Sequence, residues 1–106
     1  MIMVDIEKWK QFSFAEQMAN IGSEVSRVVV CKERGDQANL EKSTERALEI
    51  LDMAIISSQS KNRLKELLRL RDILADYAFD LFNFIISGQE LNNYFLPFAF
   101  LARSGY

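Results

Sequence analysis

KNRLKELLRLRDILADYAFDLFNFII, residues 61–86, is the stretch on which the fold turns. In a seven-residue frame, Leu64, Leu67, Arg71, Leu74, Ala78, Leu81 and Ile85 fall at alternating three- and four-residue steps. That is the seam of a helix packed lengthwise against other helices. Leu68, Ala75 and Phe82 widen the seam, and Leu70, Tyr77 and Phe84 lie one flank further round. A helix apolar on several sides must be covered on several sides. The spacing therefore predicts a central helix over residues 61–86, roughly 39 Å long at about 1.5 Å per residue.

The rest of the composition agrees with a helical reading. The chain has 106 residues, enough for one domain, with 49% hydrophobic and 26% charged residues, a globular balance rather than a disordered one. Four glycines and one proline leave little punctuation, so elements must be few and long. The formal net charge of −2 gives no global attraction to nucleic acid or to an anionic membrane. The single cysteine, Cys31, fits a reducing compartment. The first eight residues lack a basic region followed by a long apolar run, so no signal peptide is expected. No apolar run approaches the roughly 20 residues of a spanning helix. The nearest, 91–102, is broken by Pro97. A cytoplasmic protein without a membrane segment is expected.

Outward from the central stretch, residues 1–12 read as an arm that lays Ile2, Val4, Ile6, Trp9 and Phe12 on the body, with Trp9 as its anchor. Ser13-Phe14-Ala15-Glu16 has the spacing of a capping box. Phe14, Met18, Ile21, Val25, Val28 and Lys32 then repeat at four-three spacing, a helix over about 13–34 stopped by Gly35. Val28-Val29-Val30-Cys31 is locally strand-like, but it lies too deep in the periodic segment to displace the helix. Asp36 or Asn39 caps a helix over about 37–56, buried through Leu40, Thr44, Ala47, Leu48, Leu51, Ala54 and Ile55. Residues 57–60, Ser-Ser-Gln-Ser, make a short polar link, with Ser60 as the next N-cap. After Ser87-Gly88, a last helix over about 90–103 carries Leu91, Tyr94, Phe95, Phe98, Ala99 and Ala102, with Pro97 expected to kink or split it.

Histidine is absent. That excludes Ser–His–Asp and Cys–His catalysis, His-ligated zinc and the Glu-x-x-His di-iron pattern. Cys31 has no imidazole to activate it. No glycine-rich phosphate loop is present. Carboxylates form two rows at four-residue spacing, Glu41/Glu45/Glu49 and Asp72/Asp76/Asp80, both read as solvated faces. Glu49-x-x-Asp52 matches half of the magnesium pattern of helical nucleotide hydrolases, but the upstream Glu-x-x-Glu is missing. Lys61, Arg63, Lys65 and Arg69 form a basic cluster able to touch phosphates. Arg71 sits on the seam between Leu67 and Leu74, so its guanidinium must reach water or a carboxylate such as Glu24, Asp52 or one from another subunit. The segment Tyr94–Leu101 is too aromatic for one buried side. Tyr94, Phe95, Phe98, Phe100 and Leu101, with Leu70, Tyr77 and Phe84, make the candidate interface.

Two resemblances attach to these residues. Gly35 to Leu48, with its Arg-Ala-Leu-Glu-Ile-Leu wording from Arg46, is similar to the second helix of a tetratricopeptide unit, but the first helix lacks the matching Trp and Tyr and no further unit follows. The long amphipathic helices, the Ser-rich link and the third helix studded with Arg63, Arg69 and Arg71 resemble the proteins encoded by intervening sequences of bacterial ribosomal-RNA genes, and the accessory variability proteins of the same build. The resemblance spans residues 13–103 in architecture. It implies a four-helix bundle that assembles into rings, with a basic surface for nucleic acid or a partner protein. The wording of residues 14–25 and 46–52 is also similar to uncharacterised prokaryotic proteins.

The expected fold is all-α, a four-helix up-down bundle with a short, Pro-kinked fourth helix in one domain. The expected function is a non-catalytic interaction protein without cofactor, a homo-oligomer or the ligand of a protein partner. The alternatives are a nucleic-acid-binding accessory protein using Lys61, Arg63, Lys65 and Arg69, and a metal-dependent hydrolase on the acidic rows.

Overall fold

Side-chain caps decide where the helices begin. In the computed structural model, which describes residues 6–81 and 83–104, Ser13, Asp36, Ser60 and Ser87 each accept a hydrogen bond from the backbone N–H three residues on. They open α2 (Phe14–Arg34), α3 (Gln37–Ser57), α4 (Lys61–Phe79) and α5 (Gly88–Arg103), and a short α1 (Ile6–Lys10) precedes them. No strand occurs among the described residues. Ser13 with Glu16 and Ser87 with Glu90 form complete capping boxes, satisfying amides that a helix start leaves unpaired. Gly35 closes α2 in the left-handed conformation at φ 70°, where a glycine has no Cβ to strain.

The N-terminal arm is partly helical. Trp9 on α1 is buried, Phe12 packs edge-on to it at 6.0 Å, and Gln17 Nε2 donates to the Trp9 carbonyl at 3.1 Å. Ile2 and Val4 lie outside the described residues.

Helix α2, not the segment after residue 61, is the central element. Met18, Ile21, Val25 and Val28 have no exposed surface, and α2 packs against α3, α4 and α5. The valine run is helical: Val28 and Val29 are buried against neighbouring helices, and Val30 faces solvent. Contacts between α2 and α3 run in opposite sense, Glu24 reaching Arg46 and Cys31 reaching Ser43. The α2–α5 contacts do likewise: Gly88 lies on Val29, Phe95 on Gly22 and Phe98 on Phe14. Two glycines set this last spacing. A Cβ at Gly22 would stand 2.8 Å from Phe95 Cβ and Cγ, and one at Gly88 2.6 Å from Val29 Cγ1 and 2.9 Å from the Tyr77 hydroxyl. The chain stays helical through Pro97, so the proline does not split α5, which lies along α2. The radius of gyration, 13.4 Å, matches the roughly 13 Å of a compact single domain of this length.

The continuous helix expected over 61–86 ends at Phe79. Asp80 takes the left-handed conformation at φ 53°, which Asp tolerates better than most residues. The reason for the stop is Asp76. Its carboxylate accepts from the backbone N–H of Asn83 at 2.8 Å and of Phe84 at 3.2 Å, while its carbonyl accepts from Leu81 N at 3.2 Å. Asp76 is only 4% exposed, so it does not belong to a solvated row with Asp72 and Asp80. The folded-back chain covers it. Lys32 of α2 secures the same point, donating to the Tyr77 carbonyl at 2.6 Å and to Asp80 Oδ1 at 2.5 Å, a cation at a helix C-terminus. Leu81 and Ile85 consequently leave the expected seam for solvent, and Leu68 is exposed as well. Phe82 lies outside the described residues.

Two predictions follow from this packing. Asp76→Ala leaves two loop amides without their acceptor and is expected to lower stability by about 1–3 kcal/mol, read as a lower urea midpoint at unchanged m-value. An unchanged midpoint would mean that the loop does not depend on this carboxylate. Gly22→Val is expected to lose a further 1–3 kcal/mol or so by overpacking against Phe95. Thermal melts that match wild type would show that α2 and α5 can part freely.

Candidate interaction surface

Beyond α4, apolar side chains project from a chain that is held at Asp80, Asn83 and Phe84. Phe79, Leu81, Phe84 and Ile85 are all exposed, and Ile85 completely so. Hydrogen bonds to Asp76 on one side and the Lys32–Asp80 ion pair on the other hold the chain that carries them. Solvent exposure of several large apolar side chains on one short, tethered segment is unusual for a monomer surface.

A second exposed apolar set lies on the C-terminal half of α5. Leu91 and Phe95 of this helix point into the core, with Phe98 packed against it. Leu96, Phe100 and Leu101 point outward, with Tyr94 at the margin. From Asn92 to Ala102 the helix has no charged residue, so its outer face is as apolar as its inner one and only the inner one is covered. Arg103 stacks over Phe100 at 5.2 Å. The residues singled out in the sequence thus separate. Leu70 and Phe95 are core, correcting their assignment to a surface. Tyr77 and Phe98 are half-buried against the core. Phe84, Tyr94, Phe100 and Leu101 are exposed, in two groups toward opposite ends of α5.

Between α4 and α5 runs a groove of about 340 Å³ floored by Leu70 and Leu91 and walled by Ile73 and Ile86, with Glu66, Arg69, Glu90 and Tyr94 on its rim. The Tyr94 hydroxyl donates to Glu66 Oε1 across it. Burial and then the Glu66 carboxylate push the Tyr94 phenol well above the ordinary tyrosine range. A second hollow of about 220 Å³ lies where Phe12, Phe14 and the Ser57–Gln59 link meet.

The other candidates are dispersed or engaged. Arg71 finds Asp52, Nε to Oδ1 at 2.6 Å and Nη2 to Oδ2 at 3.4 Å. The pair is open to water, with side chains 38% and 47% exposed. Arg71 is therefore not the buried polar residue expected at this seam position: the seam opens to water there, and such a half-exposed pair contributes under about 1 kcal/mol. Asp52 is held by this contact rather than by a metal set, and no cluster of three metal-ligating residues exists among the described residues. Arg63 stacks on the Phe14 ring at 4.3 Å, away from Lys61, Lys65 and Arg69, which succeed each other at four-residue steps along an exposed side of α4. Glu24 is, with Asp76, one of two buried acids among the described residues, contacted by Arg27 at 3.2 Å and Arg46 at 3.9 Å. Cys31 is a partly exposed thiol 3.8 Å from Ser43 Oγ.

Sequence reasoning missed Phe79, Leu81, Ile85 and Leu96 as surface residues, because the heptad frame carried the first three or their neighbours into a helix. Ser87 and Glu90 at capping-box spacing require the preceding helix to end before residue 87, but they do not locate its end at Phe79. No helix of the described residues is long and apolar enough to cross a membrane. Comparison with protein-family models, with curated proteins and with solved structures finds no match to this chain.

The phenol supplies a test of this geometry. Tyr94 ionises above the usual value near 10 in the folded protein, so the stability it contributes is full below about pH 10 and is lost as pH rises through its raised folded value. The Tyr94→Phe difference titration at 295 nm is expected to lack a step above the ordinary tyrosine range. A missing step at about pH 10 would mean that Tyr94 is neither buried nor bonded to Glu66.

Proposed function

We propose that this chain is a small non-catalytic interaction protein that self-associates, or docks a protein partner, through the aromatic and aliphatic side chains its own helices leave uncovered. The observation that carries this reading is the tethered chain beyond α4, with Ile85 wholly exposed beside Leu81 and Phe84. A buried carboxylate and a lysine from another helix hold apolar side chains in water, an arrangement that gains free energy only when a second surface covers them. The pairing senses α2–α3 and α2–α5, and the Arg71–Asp52 contact between α3 and α4, support an up-down arrangement of α2 to α5 as the scaffold. We place the protein in the cytoplasm on the grounds of its composition and lone cysteine.

Light scattering behind a sizing column tests the reading. The expected mass is at least twice the 12.3 kDa of the chain at micromolar concentration and is kept or increased at high salt, since an apolar contact is not screened. A mass of 12.3 kDa at every concentration would contradict self-association.

A second reading rests on Lys61, Lys65 and Arg69, three exposed cations in a row on α4 for which no acidic partner occurs among the described residues. In that reading the row tracks a phosphate backbone. Nucleic-acid binding that weakens with salt and is lost in Lys65→Ala/Arg69→Ala would favour it, and absence of binding at low salt would remove it.

A further inference from the structure

We propose that two copies of this chain pair about a two-fold axis, the projecting Leu81, Phe84 and Ile85 of each seating in the α4–α5 groove of the other. The proposal rests on the self-association reading and names its surface. Projection and groove are immediate neighbours: Ile85 is fully exposed, and Ile86, the next residue, is a wall of the groove. The floor, Leu70 and Leu91, is apolar, as is the projection. The groove, at about 340 Å³, has room for more than one aliphatic side chain. A knob and a hollow side by side on one face satisfy each other when a second copy is turned by a half rotation. The contact is then isologous and closes at two.

The charges on the rim support a copy of the same face rather than a different partner. Arg69 has no ion-pair or hydrogen-bond partner among the described residues. Glu66 and Glu90 on the same rim carry the opposite sign and each use one oxygen, on Tyr94 and on the Ser87 amide. A face bearing both signs can complement itself, whereas a face of one sign would repel its copy. The α5 patch of Leu96, Phe100 and Leu101 lies toward the far end of the helix, and the hollow of about 340 Å³ that Leu96 adjoins, between α2 and α5, has Ser23, Ser26 and Asn92 in its lining and no charged side chain of either sign to set a register.

The test is sedimentation over a wide concentration range for wild type, Ile85→Glu and Phe100→Asp. Ile85 touches nothing that the fold needs, so Ile85→Glu is expected to melt as wild type does. It is expected to weaken the dimer at least about a hundredfold, because an unpaired carboxylate would enter an apolar site in each half. Phe100→Asp is expected to dimerise like wild type. A dimer unchanged in Ile85→Glu but lost in Phe100→Asp overturns the assigned face and leaves self-association standing. A wild-type chain that stays monomeric throughout overturns both.

Discussion

The contact between the Asp76 carboxylate and the amides of Asn83 and Phe84 governs how the second half of this protein is arranged. Asp76 stands on the side of α4 that faces away from the core, and it is buried only because the chain turns back over it. That turn ends α4 one full stretch early and reverses the direction of the backbone. It also delivers Gly88 to Val29 and Tyr77, where α5 begins. Without an acceptor at residue 76, the amides of Asn83 and Phe84 lose their partner and the turn that brings α5 back along α2 is weakened.

The same contact links fold to surface. A charged acceptor holding two backbone amides in a largely dry site is a strong local restraint, and Lys32 adds a second from the opposite helix. The side chains displaced from the would-be seam, Leu81 and Ile85, are the ones that reach solvent. Local stability at the turn and apolar exposure beyond it therefore have one cause. On the other side of α5, close approach at Gly22 lets Phe95 fill the interior and leaves Leu96 and Phe100 outside.

Much of the helical order is legible in the sequence because caps are local. Ser13, Gly35, Asp36 and Ser60 set boundaries that the structure reproduces within a residue or two. The stripe of α3 and the buried Trp9 follow from periodicity and side-chain size. The end of α4 does not, because it depends on a long-range event, a loop closing over a carboxylate seven and eight residues upstream. A heptad frame cannot distinguish an aspartate facing water from one that captures backbone amides. The rank of the helices was hidden for a similar reason: the apolar width of residues 61–86 reflects a surface as well as a core, while α2 owes its centrality to small residues such as Gly22 that admit a close neighbour. Of the candidate interface, the exposure of Phe84, Tyr94, Phe100 and Leu101 was readable from excess aromatic content, and the burial of Leu70 and Phe95 was not, since both flanks of an apolar helix look alike in one dimension.

Amide hydrogen exchange at Asn83 and Phe84 tests the central restraint most directly. If the Asp76 carboxylate holds both N–H groups, they exchange far more slowly than expected for a solvent-facing loop and lose that protection together in Asp76→Ala. Exchange at the rate of an unstructured peptide in the wild-type protein would contradict the account, because the loop would then have no fixed backbone from which to present its apolar side chains.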